Sequence, residues 1–186
     1  MASVDADSRV PDGPAPSDLH DPSRPVARIV GVGAVVLLLD QLTKWWAVDA
    51  LADPPRVIDL FWTLRFNLLY NRGTAFSLTD NSGPVVSVIA VVVIVVLLRS
   101  GRRQRSPWVQ LSYGLVAGGT VGNLVDRIFR EGDGLLGGGV VDFVDLQWFP
   151  VFNVADAALT IGIIVLLIAG FFTDAFDEPA DDGTTP

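Results

Sequence analysis

Four long apolar runs divide the chain and predict four membrane-spanning helices. They cover approximately residues 26–51, 75–98, 108–128 and 154–172. A helix of about 20 predominantly apolar residues is long enough to cross the hydrocarbon core of a bilayer. The second run is interrupted near its start by Asn81, Gly83 and Pro84, so the span needs residues 75–79 as well as the clean part that begins at Val85. The expected fold class is therefore membrane α-helical, with four transmembrane helices.

Residues 57–71 follow a different period, with apolar side chains at alternate positions such as Leu60, Trp62 and Leu64. This alternation is typical of a β-strand with one apolar face. A lone strand cannot satisfy its backbone hydrogen bonds in lipid. We therefore expect one strand over 57–71 that lies at the outer interface and pairs with residues 140–146, forming a small extracytoplasmic β-sheet.

Composition supports a membrane protein, since half of the residues are hydrophobic and the mean hydropathy is +0.45. The net charge of −8 lies entirely in the two ends of the chain. Residues 1–24 carry five Asp and two Arg, which gives −3, and residues 174–186 carry four Asp and one Glu, which gives −5. The neutral remainder gives no indication of nucleic-acid binding.

The charge pattern also predicts the domain organisation and the topology. Residues 1–25 are rich in Pro, Asp and Ser, which predicts a disordered cytoplasmic tail, and residues 174–186 are expected to form an acidic cytoplasmic tail. Between them, residues 26–173 form one four-span membrane domain. Arg24 and Arg28 precede the first span and four arginines fill 99–105, so both termini are expected inside the cell.

The residue types exclude several kinds of chemistry. The chain has no Cys, which excludes thiolate catalysis and Cys-bound metal, and its single His is His20 in the N-terminal tail. Acid–base chemistry must therefore depend mainly on carboxylates, and we expect no cofactor and no metal. Two Asn-x-x-Asp sequences, Asn123 with Asp126 and Asn153 with Asp156, occur at the ends of the third and fourth spans. Ionisable groups in spans are costly and are read as functional by default, although helix ends near water would also explain them.

Two other polar groups allow two interpretations each. Asp40 and Lys44 are four residues apart on the first span and can form an ion pair that holds helices together, with Lys44 extending toward water. Asn71 and Gly73 are compatible with a capped tight turn and equally with a role facing a substrate.

Five sequence motifs together resemble the lipoprotein signal peptidase family, also called signal peptidase II. In chain order they are DQLTK (40–44), NRGTAF (71–76), GGTVGNLVDR (118–127), GVVDF (139–143) and FNVAD (152–156). The resemblance covers about residues 26–172. It implies an aspartic endopeptidase of the bacterial cytoplasmic (inner) membrane, active near the outer surface. Such an enzyme removes signal peptides from prolipoproteins by cleaving before the diacylglyceryl-modified cysteine.

The same resemblance implies roles for individual residues. Asp126 and Asp156 match the family's catalytic pair, and Asn123 and Asn153 match the polar residues beside it. Other residues match motif positions around the site, and for these the resemblance implies substrate binding or support of the pair. They are Asn71, Gly73, Arg127, Gly139 and Asp142. The expected partners are diacylglyceryl-modified prolipoprotein signal peptides, membrane lipid and globomycin-type inhibitors, and the expected state is a monomer.

Peptide hydrolysis by such a pair needs no covalent intermediate. Two carboxylates close together share a proton, so one can activate water while the other polarises the scissile carbonyl. Two alternatives stay open at this point. An ion-coupled transporter would also place carboxylates in its spans, and a Ser-Lys peptidase could use Lys44 as its base.

Overall fold

The computed structural model describes residues 23–73, 83–132 and 136–174. Their helices and strands, in chain order, are α1 (Ser23–Leu51), β1 (Val57–Phe61), β2 (Leu64–Asn71), α2 (Gly83–Gly101), α3 (Pro107–Phe129), β3 (Val140–Asp145) and α4 (Val154–Asp174). Most of both predicted tails lies outside the described residues, as do residues 74–82 at the predicted start of the second span and residues 133–135.

The helical part of the prediction is confirmed. Among the described residues, three helices are long and apolar enough to cross a membrane, namely α1, α2 and α4. Helix α3, with 23 residues, is of similar length but is not among the helices apolar enough to cross a membrane on their own. The reason is its position, because α3 packs against all three other helices and buries polar residues and glycines along its length.

Close packing of α3 depends on small residues at its contacts. A Cβ atom on Gly118 would meet the backbone of Gly33 on α1, and one on Gly119 would meet the backbone of Ala155 on α4. Close backbone approach through small residues is a usual way for helices to associate in lipid. The GG pair at 118–119 therefore brings α3 close to α1 on one side and to the start of α4 on the other, and these three helices carry most of the polar residues singled out above.

The sheet has three antiparallel strands in the order β1-β2-β3. The predicted pairing between the 57–71 and 140–146 segments is confirmed, with Tyr70 opposite Val141 and Asn71 opposite Val140. The prediction of a single strand over 57–71 is wrong, because the chain reverses at Trp62 and β1 pairs with β2 as a hairpin. Trp62 adopts a left-handed conformation (φ 51°) that is normally taken by Gly or Asn, so the turn has no signature in the sequence.

A small apolar core fixes the sheet to the end of α1. Val141 and Phe143 of β3 are buried against Ala47 and Leu51 of α1. Nearby, the rings of Trp46 and Phe66 meet edge to face with 5.0 Å between centroids. The opposite face of β3 carries Asp142, and the packing therefore sets the position of that carboxylate relative to the helix bundle.

Candidate active site

A cavity of about 410 Å³ lies between α2, α3, α4 and the sheet. Its walls are mainly apolar and come from the three helices, including Val86, Ile89, Val93, Val116, Leu159 and Ile163. One part of its lining is polar. We call this part the polar end and define it by Asn71, Asn123, Arg127, Asp142 and Asp156.

Asp156 is held by the start of α4. The backbone N–H of Asn153 donates to Asp156 Oδ2 (3.2 Å), and the backbone N–H of Asp156 donates to Asn153 Oδ1 (2.9 Å). This reciprocal pattern is a capping box, with Asn153 as the N-cap of α4. Asn123 of α3 donates its side-chain amide to Asp156 Oδ1 (2.8 Å). The Asn-x-x-Asp sequence at 153–156 therefore caps a helix and, in the same geometry, places a half-buried carboxylate on the cavity.

Asp142 reaches the same cavity from β3 and is almost completely buried. Its Oδ1 accepts the side-chain amide of Asn153 (2.7 Å), and its Oδ2 accepts that of Asn71 (3.1 Å). Burial and the neighbouring charge of Asp156 raise the pKa of Asp142 to about 6, although the two amide hydrogen bonds oppose this shift. Asp142 and Asp156 are thus close enough to interact electrostatically, and both are held by Asn153.

The Asn71–Gly73 turn positions one of these amides. Asn71 Oδ1 accepts the backbone N–H of Gly73 (2.9 Å), and Gly73 has φ 100°, a conformation that a side chain would strain. The same Asn71 side chain donates to Asp142. Asn71 therefore both closes the tight turn and lines the cavity. Gly139, another of the motif positions, precedes β3 beside Tyr70 of β2.

Asp126 does not line the cavity; it lies in a buried charge cluster instead. Its Oδ1 accepts Arg130 Nε (2.7 Å), and its Oδ2 accepts Lys44 Nζ (2.9 Å) and the backbone N–H of Val141 (3.2 Å). Both carboxylate oxygens are therefore occupied by cations and a backbone amide. Asp142, and not Asp126, is the carboxylate that lines the cavity together with Asp156.

Lys44 is the centre of this cluster. Its ammonium group contacts Asp40 Oδ2 (2.8 Å), Asp126 Oδ2 (2.9 Å) and Asn123 Oδ1 (3.0 Å), which uses all three of its donors. The predicted contact between Asp40 and Lys44 is present, but the prediction that Lys44 extends toward water is wrong, because the side chain is fully buried. Asp40 also accepts the backbone N–H of Ala155 (2.9 Å), so the cluster joins α1, α3 and the first turn of α4.

Arg127, next to Asp126 in the chain, points to the cavity and not to the cluster. Its side chain is only 8% exposed, and its Nη1 has no hydrogen-bond partner among the described residues. An unsatisfied buried donor is costly. This guanidinium nitrogen is therefore available to an acceptor that enters the cavity.

All five members of the polar end are among the residues predicted for the site, whereas Asp126 of the predicted pair lies in the charge cluster. The signal for Asp142 was its position in GVVDF, where an acid lies between residues of a buried strand. The ion pair of Asp126 with Arg130 was missed, although their four-residue spacing on α3 could have indicated it.

Apolar helices that are long enough to cross a membrane surround a cavity lined by two interacting carboxylates, which is typical of a membrane-embedded protein. Residues 32–172 match the family described as signal peptidase (SPase) II, and the chain belongs to that family. It is accordingly a membrane peptidase, and the resemblance carried by the five motifs is confirmed.

Curated relatives and solved structures agree with this assignment. The lipoprotein signal peptidase of Mycolicibacterium smegmatis is 42% identical over 166 residues, which cover 88% of this chain and 70% of that protein. The lipoprotein signal peptidase of Mycobacterium leprae is 39% identical over 179 residues, covering 91% and 89%. A solved bacterial membrane enzyme has the same fold, with a TM-score of 0.69 at 23% identity over 82% of this chain and 93% of that one.

Proposed function

We propose that this chain is a lipoprotein signal peptidase that cleaves prolipoproteins before the diacylglyceryl-modified cysteine, using Asp142 and Asp156 as its catalytic pair. The observation that carries the proposal is the polar end of the cavity. Asp142 and Asp156 both line the cavity there, and Asp142 is almost completely buried. Asp142 accepts the side-chain amide of Asn153, and Asp156 accepts the backbone N–H of Asn153. The names of the curated relatives support prolipoproteins as the substrates.

The two carboxylates have different surroundings, which supports different roles. Asp156 lies at the N-terminus of α4 and accepts hydrogen bonds from Asn123 and Asn153, so it is placed as an acceptor. Among the described residues, no cation lies within hydrogen-bond distance of Asp142, and the pKa of Asp142 is raised to about 6 by burial and by Asp156. The shared proton therefore resides mostly on Asp142, although the titration belongs to the pair.

The reaction follows from this arrangement. Ionised Asp156 removes a proton from a water molecule as that water attacks the scissile carbonyl carbon. Protonated Asp142 donates a hydrogen bond to the carbonyl oxygen, on which negative charge develops. The tetrahedral intermediate then breaks its C–N bond, and the leaving amine takes a proton from the pair. The products are a new carboxyl terminus on the signal peptide and a free amine on the lipid-modified cysteine.

Arg127 and Asn123 are suited to hold the substrate and the developing charge. The free Nη1 of Arg127 can donate to a backbone carbonyl of an extended peptide or to the oxyanion. Asn123 already donates to Asp156 and thereby orients the base. The apolar walls of the cavity suit the apolar part of a signal peptide.

Asp126 acts in this proposal as a positioning residue. It accepts the backbone N–H of Val141, the residue before Asp142, and it neutralises Lys44. Lys44 directs all three of its donors to Asp40, Asp126 and Asn123, so it is not placed to act as the base of a Ser-Lys peptidase. The same contacts weigh against the Asp126–Asp156 pair inferred from the motifs.

The proposed location is the bacterial cytoplasmic membrane, with both termini and the 99–105 arginine loop inside and the active site near the outer surface. Its support is the distribution of arginine, since the polar end lies at the end of the bundle away from Arg28 and the loop. Binding of globomycin-type inhibitors, contact with membrane lipid and a monomeric state belong to the same proposal.

The direct test is cleavage of a purified, diacylglyceryl-modified prolipoprotein by the purified chain. The wild type should release the signal peptide, and globomycin should stop the release. A precursor that lacks the lipid should be left uncut. Cleavage of the unlipidated precursor at an equal rate, or at a bond other than the one before cysteine, would contradict the proposed specificity.

A further inference from the structure

A basic cavity lies at the end of the helix bundle opposite the polar end. It has a volume of about 630 Å³ and is lined by Arg99, Ser100, Arg102, Arg103 and Gln104, at the end of α2 and in the loop before α3. Every one of these side chains is a hydrogen-bond donor, and three are cations. Such a lining suits a ligand with several acceptor oxygens and negative charge.

The charge of this cavity is not balanced by neighbouring acids. Residues 97–110 contain four arginines and no Asp or Glu. Among the described residues, none of these arginines forms an ion pair, since the ion pairs found there involve Lys44, Arg65 and Arg130. An anion from outside the described chain is therefore the natural partner of the loop.

The loop has a defined shape because buried contacts hold it. Gln110 of α3 is only 4% exposed; it donates to the backbone carbonyl of Gln104 (2.9 Å) and accepts Arg28 Nη1 of α1 (3.3 Å). The backbone N–H of Arg103 donates to the carbonyl of Ser100 (3.2 Å). These bonds tie the backbone of the loop to α1 and α3, so the loop that carries the arginines has a set shape before any ligand binds.

The surroundings of the cavity identify the kind of anion. Exposed apolar side chains lie beside it on the lipid-facing helix surface, including Val95 and Val96 of α2 and Trp108 of α3. Tryptophan is enriched where the acyl chains meet the headgroups, and basic pockets between helix ends are typical sites for anionic headgroups. We propose that this cavity binds the phosphate of an anionic phospholipid headgroup, with the acyl chains along α2 and α3. This site is separate from the proposed peptidase chemistry.

The test is lipid binding by the full-length chain in detergent, measured by native mass spectrometry. Phosphatidylglycerol should bind more tightly than phosphatidylcholine of the same acyl composition. Arg102→Gln should weaken phosphatidylglycerol binding about tenfold, the usual effect of losing a hydrogen bond to a charged group. Arg105→Gln is the matched control, because Arg105 is exposed in the same loop but does not line the cavity. The control should weaken binding by no more than about twofold, as expected for a screened surface charge.

Each other outcome contradicts the proposal. Equal losses in the two variants would indicate diffuse attraction by the whole loop rather than a built site. Displacement of the lipid by inorganic phosphate at equal concentration would assign the cavity to free phosphate. Binding that appears only after removal of residues 175–186 would make the acidic end of the chain the occupant. If Arg102→Gln does not yield a monodisperse protein, Arg103→Gln serves as the second variant, since its side chain also lines the cavity.

Discussion

Replacement of Asp126 by Asn tests the buried charge cluster. Asp40, Lys44, Asp126 and Arg130 together are neutral, and all except Arg130 are almost completely buried. Asp126→Asn leaves one excess positive charge. Removing one partner of a buried ion pair costs about 3–5 kcal/mol. Arg130 is 27% exposed, so its guanidinium group can turn to water, and Lys44 keeps its contact with Asp40. We therefore expect the free energy of unfolding to fall by an amount at the lower end of this range, about 3 kcal/mol.

Thermal unfolding in detergent, followed by tryptophan fluorescence at neutral pH, measures this loss. A chain of this size loses about 2–4 °C of Tm per kcal/mol, so Asp126→Asn should lower Tm by about 6–12 °C. Asp142→Asn is the matched control, because Asp142 is equally buried but has neutral amides as its hydrogen-bond partners. Its Tm should stay within about 2 °C of the wild type. Equal losses in the two variants, or none in Asp126→Asn, would refute the assignment of Asp126 to the cluster.

Three further predictions concern the pair, the topology and the sheet. Because Asp142 must carry the shared proton and has a pKa of about 6, kcat/KM should fall as the pH rises through that value, and a rate that keeps rising to pH 8 would contradict this role. The chain has no cysteine, so single cysteines can report the topology. Ser106→Cys should react with a membrane-impermeant maleimide only after cell lysis, whereas Asp59→Cys should react in intact spheroplasts. Equal labelling of the two variants in spheroplasts would refute the topology. Phe66→Pro should lower both Tm and cleavage, because Phe66 pairs with Ile58 and Val144 in the centre of the sheet, and unchanged values would contradict its place there.

The elements with strong local signals were predicted from the sequence. Apolar runs indicated the four helices because lipid contact requires an apolar surface over the whole length of a span. The pairing of β2 with β3 followed from the need to satisfy backbone groups near lipid. The turn at Trp62 could not be predicted, since the apolar alternation continues through it and the left-handed residue is a tryptophan.

The proposed identity of the carboxylate pair rests on contacts between residues distant in the chain. Asp126 and Asp142 both belong to motifs, and their types and spacing do not distinguish a charged structural acid from a catalytic one. The difference is made by Lys44 of α1, which packs against α3 and neutralises Asp126. Within the described part of the chain, Asp142 accepts hydrogen bonds only from two side-chain amides. Their placement depends on the register of β3 against β2 and on the capping box of α4.

The roles of the three aspartates are separated by single-turnover cleavage of a lipid-modified prolipoprotein by the three Asp→Asn variants. Asp142→Asn and Asp156→Asn should each abolish cleavage while the proteins stay folded. The double variant should be no slower than either, because the two residues act as a unit. Asp126→Asn should retain measurable cleavage at a temperature well below its lowered Tm. Substantial cleavage by folded Asp142→Asn, together with complete loss in folded Asp126→Asn, would contradict the account and restore Asp126 as the partner of Asp156.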